Sequence, residues 1–325
     1  MNKKCCFIIP YFGDFPNYFQ LFLNSCSYNT DYNWLIFSDS RKIYRLPDNV
    51  EIIYLEFDEL KKLISSKFEF YVSIDTPYKL CDYKPAYGYI FEDYIKDYAF
   101  WGHCDIDIIV GTLNDFITDD MLRSFDKIFC LGHMILYRNT YSNNRLFMSD
   151  LNGFLSFKKA FTSPNIDFFD EEGESTTNIN RIFKYYGKRI FEKDLSYNPK
   201  IVPTKFVRTI YNPLTSQFDD EKYRRSICVW SKGHIIRYYI ENNVLKQDKF
   251  PYMHLQSRDM KVDPSILDLN TYKIIPNKFS KLENEITDIQ TFYKIKSIEW
   301  NMHRLRTIYK FKSKALKKWL NKFLK

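Results

Sequence analysis

No stretch of this chain approaches the roughly 18 consecutive apolar residues that a membrane-spanning helix needs. It also lacks a P-loop or any other glycine-rich phosphate signature, which removes the commonest backbone cradle for a nucleotide. The seven cysteines are odd in number, include the neighbours Cys5 and Cys6, and form no Cys-x-x-Cys pair, so they fit no disulfide framework. A reducing, cytoplasmic setting follows. The opening Met1-Asn2-Lys3-Lys4 before the apolar Cys5 to Phe12 imitates a signal peptide. Its apolar part is short, contains Pro10 and reaches Gly13-Asp14 without a small-residue cleavage site, so it reads as a first strand. The charge is unevenly placed: after Asn301 there are nine Lys or Arg and no Asp or Glu, so the formal excess of +8 belongs to that tail.

With 45% hydrophobic and 18% aromatic residues, the 325-residue chain can build a full core in one large α/β domain or two smaller ones. Cys5-Cys6-Phe7-Ile8-Ile9 is a continuous apolar run of the kind buried on both faces of a sheet, and Pro10-Tyr11-Phe12-Gly13 ends it. Asn17 to Ser27 is helix-like, Trp34 to Phe37 reads as a second strand stopping at Ser38-Asp39-Ser40, Val50 to Phe57 as a third, and Glu59 to Ser66 as a helix. This alternation predicts an α/β sheet with a ligand crevice beyond the carboxyl ends of its strands, where Tyr11 and Asp39 would sit. A rim aromatic and a turn aspartate are equally open readings of those two.

Pro85 is placed like a first-turn proline, and Ala86, Tyr89, Ile90 and Tyr94 recur at helical spacing, which predicts a helix to about Asp97. Asp82 and Lys84 would then stand at its amino end, where the dipole and the ammonium suit a phosphate. A plain cap and a solvated lysine are the simpler alternatives.

The stretch that organises the chain is Phe100-Trp101-Gly102-His103-Cys104-Asp105-Ile106-Asp107-Ile108-Ile109-Val110-Gly111. In a strand, side chains at i and i+2 share a face, so Asp105 and Asp107 would converge. Two carboxylates turned toward a core cost several kcal/mol unless paired or bound to a cation, so a metal site at a strand end is one reading. A capped turn plus a solvated acid is the other.

Together, Lys79-Leu80-Cys81-Asp82-Tyr83-Lys84-Pro85-Ala86-Tyr87-Gly88 and Phe100 to Asp107 resemble a family of bacterial glycosyltransferases found among capsule, O-antigen and other surface-polysaccharide genes. Gly132-His133-Met134-Ile135-Leu136-Tyr137-Arg138-Asn139 and Tyr252-Met253-His254-Leu255-Gln256-Ser257-Arg258 add to the likeness, which spans roughly Cys6 to Lys261. It implies a GT-A-like, Rossmann-type domain that binds a nucleotide sugar, most readily a UDP-sugar, with a DxD motif holding Mn²⁺ or Mg²⁺. By the resemblance Asp107 is the direct ligand, Asp105 ligates directly, through water or holds the ribose, and His254 is the candidate third ligand. His103 and His133 compete for contact with sugar or acceptor, and Arg258 or Lys261 for the diphosphate. An inverting transfer needs a carboxylate base; the acidic loop Phe161 to Asn178 supplies Asp170 or Glu171 for it, unless that loop is merely solvated.

Past Asp107, Asn114 to Phe125 reads as a helix, Lys127 to Leu136 as a strand, and Thr176 to Tyr186 as a helix. The pattern loosens from Pro264 to Asn277, which places the end of the catalytic domain near residue 265, a linker or helical extension over 266–300 and a basic amphipathic helix over 301–325. Leu305, Ile308, Tyr309, Ala315, Leu316, Trp319, Leu320 and Phe323 form its apolar stripe. Such a helix suits the anionic inner leaflet, where an enzyme extending a lipid-linked glycan would work, or packs on the domain or a partner. The leading expectation is a metal-dependent glycosyltransferase with no nucleic-acid partner. A metal-dependent phosphoryl- or nucleotidyltransferase, and a non-catalytic membrane- or nucleic-acid-binding protein, are the alternatives.

Overall fold

The computed structural model describes residues 3–323 apart from 174, 175, 201, 203, 223, 224, 257 and 301. Strand β1 (Lys3–Pro10) is the centre of the molecule, and its apolar run is buried on both faces. Cys6 and Ile8 enter one core cluster while Cys5, Phe7 and Ile9 enter the other, the two-residue alternation of a strand between two layers.

The helix Phe19–Cys26 follows, then β2 (Tyr32–Ser38), β3 (Val50–Tyr54) and the helix Phe57–Ser66, started by a capping box between Glu56 and Glu59. Residues 77–94 do not form the single helix that the spacing after Pro85 predicts. They form a chain of 3-10 and α turns, the first beginning at Pro77: Pro85, inside the run, lacks the N–H a continuous helix requires, and Phe91, with φ −107° and ψ 27°, leaves helical geometry before the predicted end. Next come β4 (Tyr98–Cys104) and β5 (Ile108–Val110). The expected helix over 114–125 shortens to Asp119–Ser124, capped by Thr118. The expected strand over 127–136 divides into β6 (Lys127–Ile128) and β7 (Met134–Arg138). The helix Ile179–Tyr185, capped by Asn178, precedes β8 (Ile190–Phe191).

The main sheet has the order β3-β2-β1-β4-β7-β6-β8. Strands β3, β2, β1 and β4 are parallel, β7 runs against β4, and β6 runs against β7. Gly102 is required where β4 meets β7, since a Cβ there would lie 2.5 Å from the Ile135 carbonyl oxygen.

The second half is antiparallel but for one edge strand. A small sheet joins β9 (Asn198–Pro199), β10 (Arg208–Asn212) and β11 (Gln217–Asp220). A larger one comprises β12 (Ser226–Ser231), β13 (His234–Glu241), β14 (Val244–Phe250), β16 (Lys261–Val262), β17 (Thr271–Ile275) and β18 (Lys278–Ser280), in the order β14-β13-β12-β17-β18-β16. The division expected near residue 265 therefore falls inside a sheet: β17 sits between β12 and β18, with Tyr272, Ile274 and Ile275 buried. The two halves are joined by β15 (Tyr252–His254) pairing with β5 and by Trp230 Nε1 donating to the Val110 carbonyl at 3.0 Å.

The C-terminal helix spans Met302–Phe323. Met302, Leu305, Tyr309 and Leu316 are exposed along it, while the side chains of Ala315, Trp319, Leu320 and Phe323 lie outside the described residues. Among the described residues no helix is long and apolar enough to cross a membrane.

Candidate metal centre and cavity

Asp105 and Asp107 do converge, although not by strand parity, for β4 ends at Cys104 and both lie in the bend before β5. Ile106 is turned into the core between them. The bend is pinned on both sides: the Asp105 N–H donates to the His133 carbonyl at 3.0 Å, and the Leu255 N–H donates to the Asp107 carbonyl at 2.8 Å. The register of β15 against β5 pairs His254 with Ile108 and so delivers the imidazole to the same place. Its Nε2 lies 3.3 Å from Asp107 Oδ1 and 3.6 Å from Asp105 Oδ2, and one ligand atom from each of the three residues falls within 4.8 Å of the others.

The far side of the His254 ring fixes its tautomer. Nδ1 lies 3.2 Å from Asn198 Oδ1, which also accepts from Gln256 Nε2 at 2.7 Å, so Nδ1 carries the hydrogen. A neutral ring then turns the Nε2 lone pair toward two carboxylates, three acceptors with no donor among them. That arrangement is stable only with a cation or proton between. Burial works to lower the His254 pKa, but the Asp107 and Asp105 carboxylates outweigh it and the net shift is upward.

Lys84 holds the other side of Asp105. Its Nζ donates to Asp105 Oδ1 at 2.8 Å and to the Gly132 carbonyl at 2.9 Å, and stands 3.3 Å from Asp170 Oδ2. Burial opposes its charge, yet these carboxylates raise its pKa well above the usual lysine value. Asp170 is 3% exposed. Burial pushes its carboxyl up to about 7, with Lys84 opposing and Glu171 and Asp105 adding to the rise. Glu171 accepts from the Gly132 N–H at 3.1 Å, and burial raises its pKa too, against the pull of Lys84. His133 Nδ1 lies 2.8 Å from the Tyr252 hydroxyl and its ring centroid 4.7 Å from that of His254; burial lowers its pKa well below the ordinary imidazole value.

These groups line one cavity of about 1080 Å³ at the carboxyl ends of β1 and β4. Tyr11, Lys84, Asp105, Asp107, His133, Asp170, Glu171 and His254 all border it, as do His103 and Arg258. Asp39, Asp82 and Lys261, expected to bind ligand, do not. Asp39 lies outside the lining and accepts from the Gly13 N–H at 2.9 Å, bracing the turn that carries Tyr11. Asp82 is fully buried, paired with Lys79 at 2.7 Å, and accepts from the backbone N–H groups of Asp167 and Phe169 at 3.0 Å each. It faces the acidic loop instead of a phosphate because Lys79, one turn earlier, and that loop satisfy it from inside. Arg258 is likewise committed, donating to the carbonyls of Val202 and Lys200, and Lys261 is exposed on β16 outside the cavity. Sequence reasoning missed Asn198, Gln256 and Tyr252, whose partners stand far off in the chain and leave no local pattern.

Fold and site thus define a mixed α/β protein with a candidate two-carboxylate, one-imidazole metal centre in a deep cavity. The chain belongs to a family of unknown function, DUF6625, whose model matches residues 7–283. No curated protein matches it.

Proposed function

We propose that this chain is a metal-dependent glycosyltransferase with a GT-A-like fold. It would move a hexosyl or N-acetylhexosaminyl group from a nucleotide sugar, most readily a UDP-sugar, to a glycan or lipid-linked glycan during surface-polysaccharide synthesis. The observation that carries this reading is the convergence of Asp105, Asp107 and His254 at the edge of a cavity large enough for a nucleotide sugar. The strand order, four parallel strands followed by an antiparallel β7, is in keeping with it.

Two carboxylates and one imidazole suit Mn²⁺, or Mg²⁺ with more of its shell from water and phosphate. When bound, such an ion supplies Lewis-acid stabilisation of the departing diphosphate. The chain's own groups do the rest. Asn198 holds His254 with Nε2 toward the carboxylates, and Lys84 fixes Asp105. Asp170 or Glu171, raised by burial, takes the acceptor hydroxyl proton in an inverting transfer, since a base works best with a pKa near the working pH.

The basic C-terminal helix supports a location on the cytoplasmic membrane's inner face. Met302, Leu305, Tyr309 and Leu316 fall on one side of it and all are exposed.

The deciding experiment is calorimetric titration of UDP with and without Mn²⁺. In Asp107→Ala, Mn²⁺-dependent binding should weaken at least tenfold, in keeping with the loss that disturbed metal sites show, with circular dichroism unchanged. Equal binding by wild type and variant would remove the reading. Release of free nucleoside diphosphate with a glycosylated product excludes phosphoryl or nucleotidyl transfer.

A further inference from the structure

Phe168 has a backbone that a bulky side chain rarely adopts, with φ at 52°, yet its ring is 45% exposed and lines the cavity. The cause is the buried pair Lys79–Asp82. One Asp82 oxygen accepts from the N–H of Asp167 and the other from that of Phe169, clamping the backbone on either side of Phe168 and turning its ring outward. Lys79 backs the clamp by donating also to the Ala160 and Asn165 carbonyls. Backbone strain held this firmly at a cavity wall points to use of the ring.

Two more aromatic side chains line the same cavity while exposed to solvent: Tyr78, 74% exposed and next to Lys79, and Phe218 of β11, 47% exposed. The carboxylates of Asp170 and Glu171 line it with them. Tyr78 precedes Lys79 and Phe168 lies between the two N–H groups that Asp82 holds, so one ion pair places both rings, whereas Tyr11 is stacked on Phe15 at 5.2 Å with its hydroxyl donating to the Asp14 carbonyl; the cavity thus has a Tyr78 end and a Tyr11 end.

We infer that the Tyr78 end is the acceptor subsite, where Tyr78 and Phe168 stack the pyranose rings of a neutral oligosaccharide beside Asp170 and Glu171, with Phe218 a further exposed aromatic on the wall of the same cavity. The assignment rests on the glycosyltransferase reading and names its acceptor. The chemistry matches a saccharide, whose ring faces present C–H groups to an aromatic face and whose edges present hydroxyls to carboxylates. Lys84, which stands by these acids, is already held by Asp105 and Asp170 and so is not free to pair with a phosphorylated or acidic chain. Lys79 and Asp82 are positioning residues, acting through Phe168.

The test uses the full chain on a printed array of neutral and acidic oligosaccharides, with calorimetric titration of UDP and Mn²⁺ alongside. Phe168→Gly removes the ring and suits the left-handed backbone, so it should fold; Tyr78→Ala changes an exposed residue. Wild type should bind neutral glycans, each variant should lose at least fivefold of that signal, and UDP affinity should stay within twofold. Absence of glycan binding by wild type, preference for acidic glycans, or variants that bind glycans like wild type would each overturn the inference. So would variants that lose UDP affinity, which would make the rings a base-stacking site. Intact UDP binding with no glycan effect sinks this inference alone, whereas absence of Mn²⁺-dependent UDP binding sinks the glycosyltransferase reading.

Discussion

Asp82 shows how little a residue's type says about its use. A carboxylate beside a lysine near the start of a helical stretch resembles a phosphate-binding corner, but Lys79 stands one turn before it and the two are 2% and 0% exposed. Breaking a buried pair leaves one uncompensated charge, which typically costs about 3–5 kcal/mol. Lys79→Met should therefore lower unfolding free energy by about 3 kcal/mol in urea titration; a loss below 1 kcal/mol would mean that the pair is not a structural anchor. Asp170 carries a second prediction. Its folded pKa of about 7 lies above the ordinary value of 3.8, so the folded chain binds this proton more tightly than the unfolded chain. The associated stability is complete below about pH 4 and drains as pH rises toward 7. Relative to Asp170→Asn, wild type should lose stability across that window, and a gain would refute the buried, proton-retaining carboxyl.

At the scale of elements, the site depends on register. His254 meets Asp105 and Asp107 because Tyr252, Met253 and His254 pair with Val110, Ile109 and Ile108, and a slip of one residue would turn the imidazole to the other face. The C-terminal helix poses a different question, since several of its apolar residues have no cover. A chain ending at residue 300 should keep the melting temperature of the full protein within about 2 °C, because surface elements away from the core change stability little. It should also lose sedimentation with phosphatidylglycerol vesicles. Undiminished pelleting, or none by the full chain, would remove the membrane role.

For the molecule as a whole, the six-stranded sheet makes residues 271–280 part of the folded unit. A chain ending at residue 265 would strip β17 and β18 from beside β12, uncovering Cys228 and Trp230. It should show no cooperative thermal transition, while a transition matching the full chain would show the second sheet to be dispensable. Continuous apolar runs marked β1 and β2 in advance, because burial on both faces requires them. The break expected near Pro264 is misplaced because the pairing of Cys228 with Ile274 joins residues 46 positions apart, and spacing within a window cannot register it.

What the sequence by itself determined is local: the buried central strands, the two acids flanking Ile106, the late histidine in an apolar run, and the acid-free tail. Each is written in the chemistry of adjacent residues. Tertiary structure decided which acids face inward, that Lys84 holds Asp105, that Asn198 orients His254, and that Phe168 is turned out beside Tyr78. Those outcomes depend on which distant backbone groups arrive to satisfy a buried charge, and only the closed fold sets that.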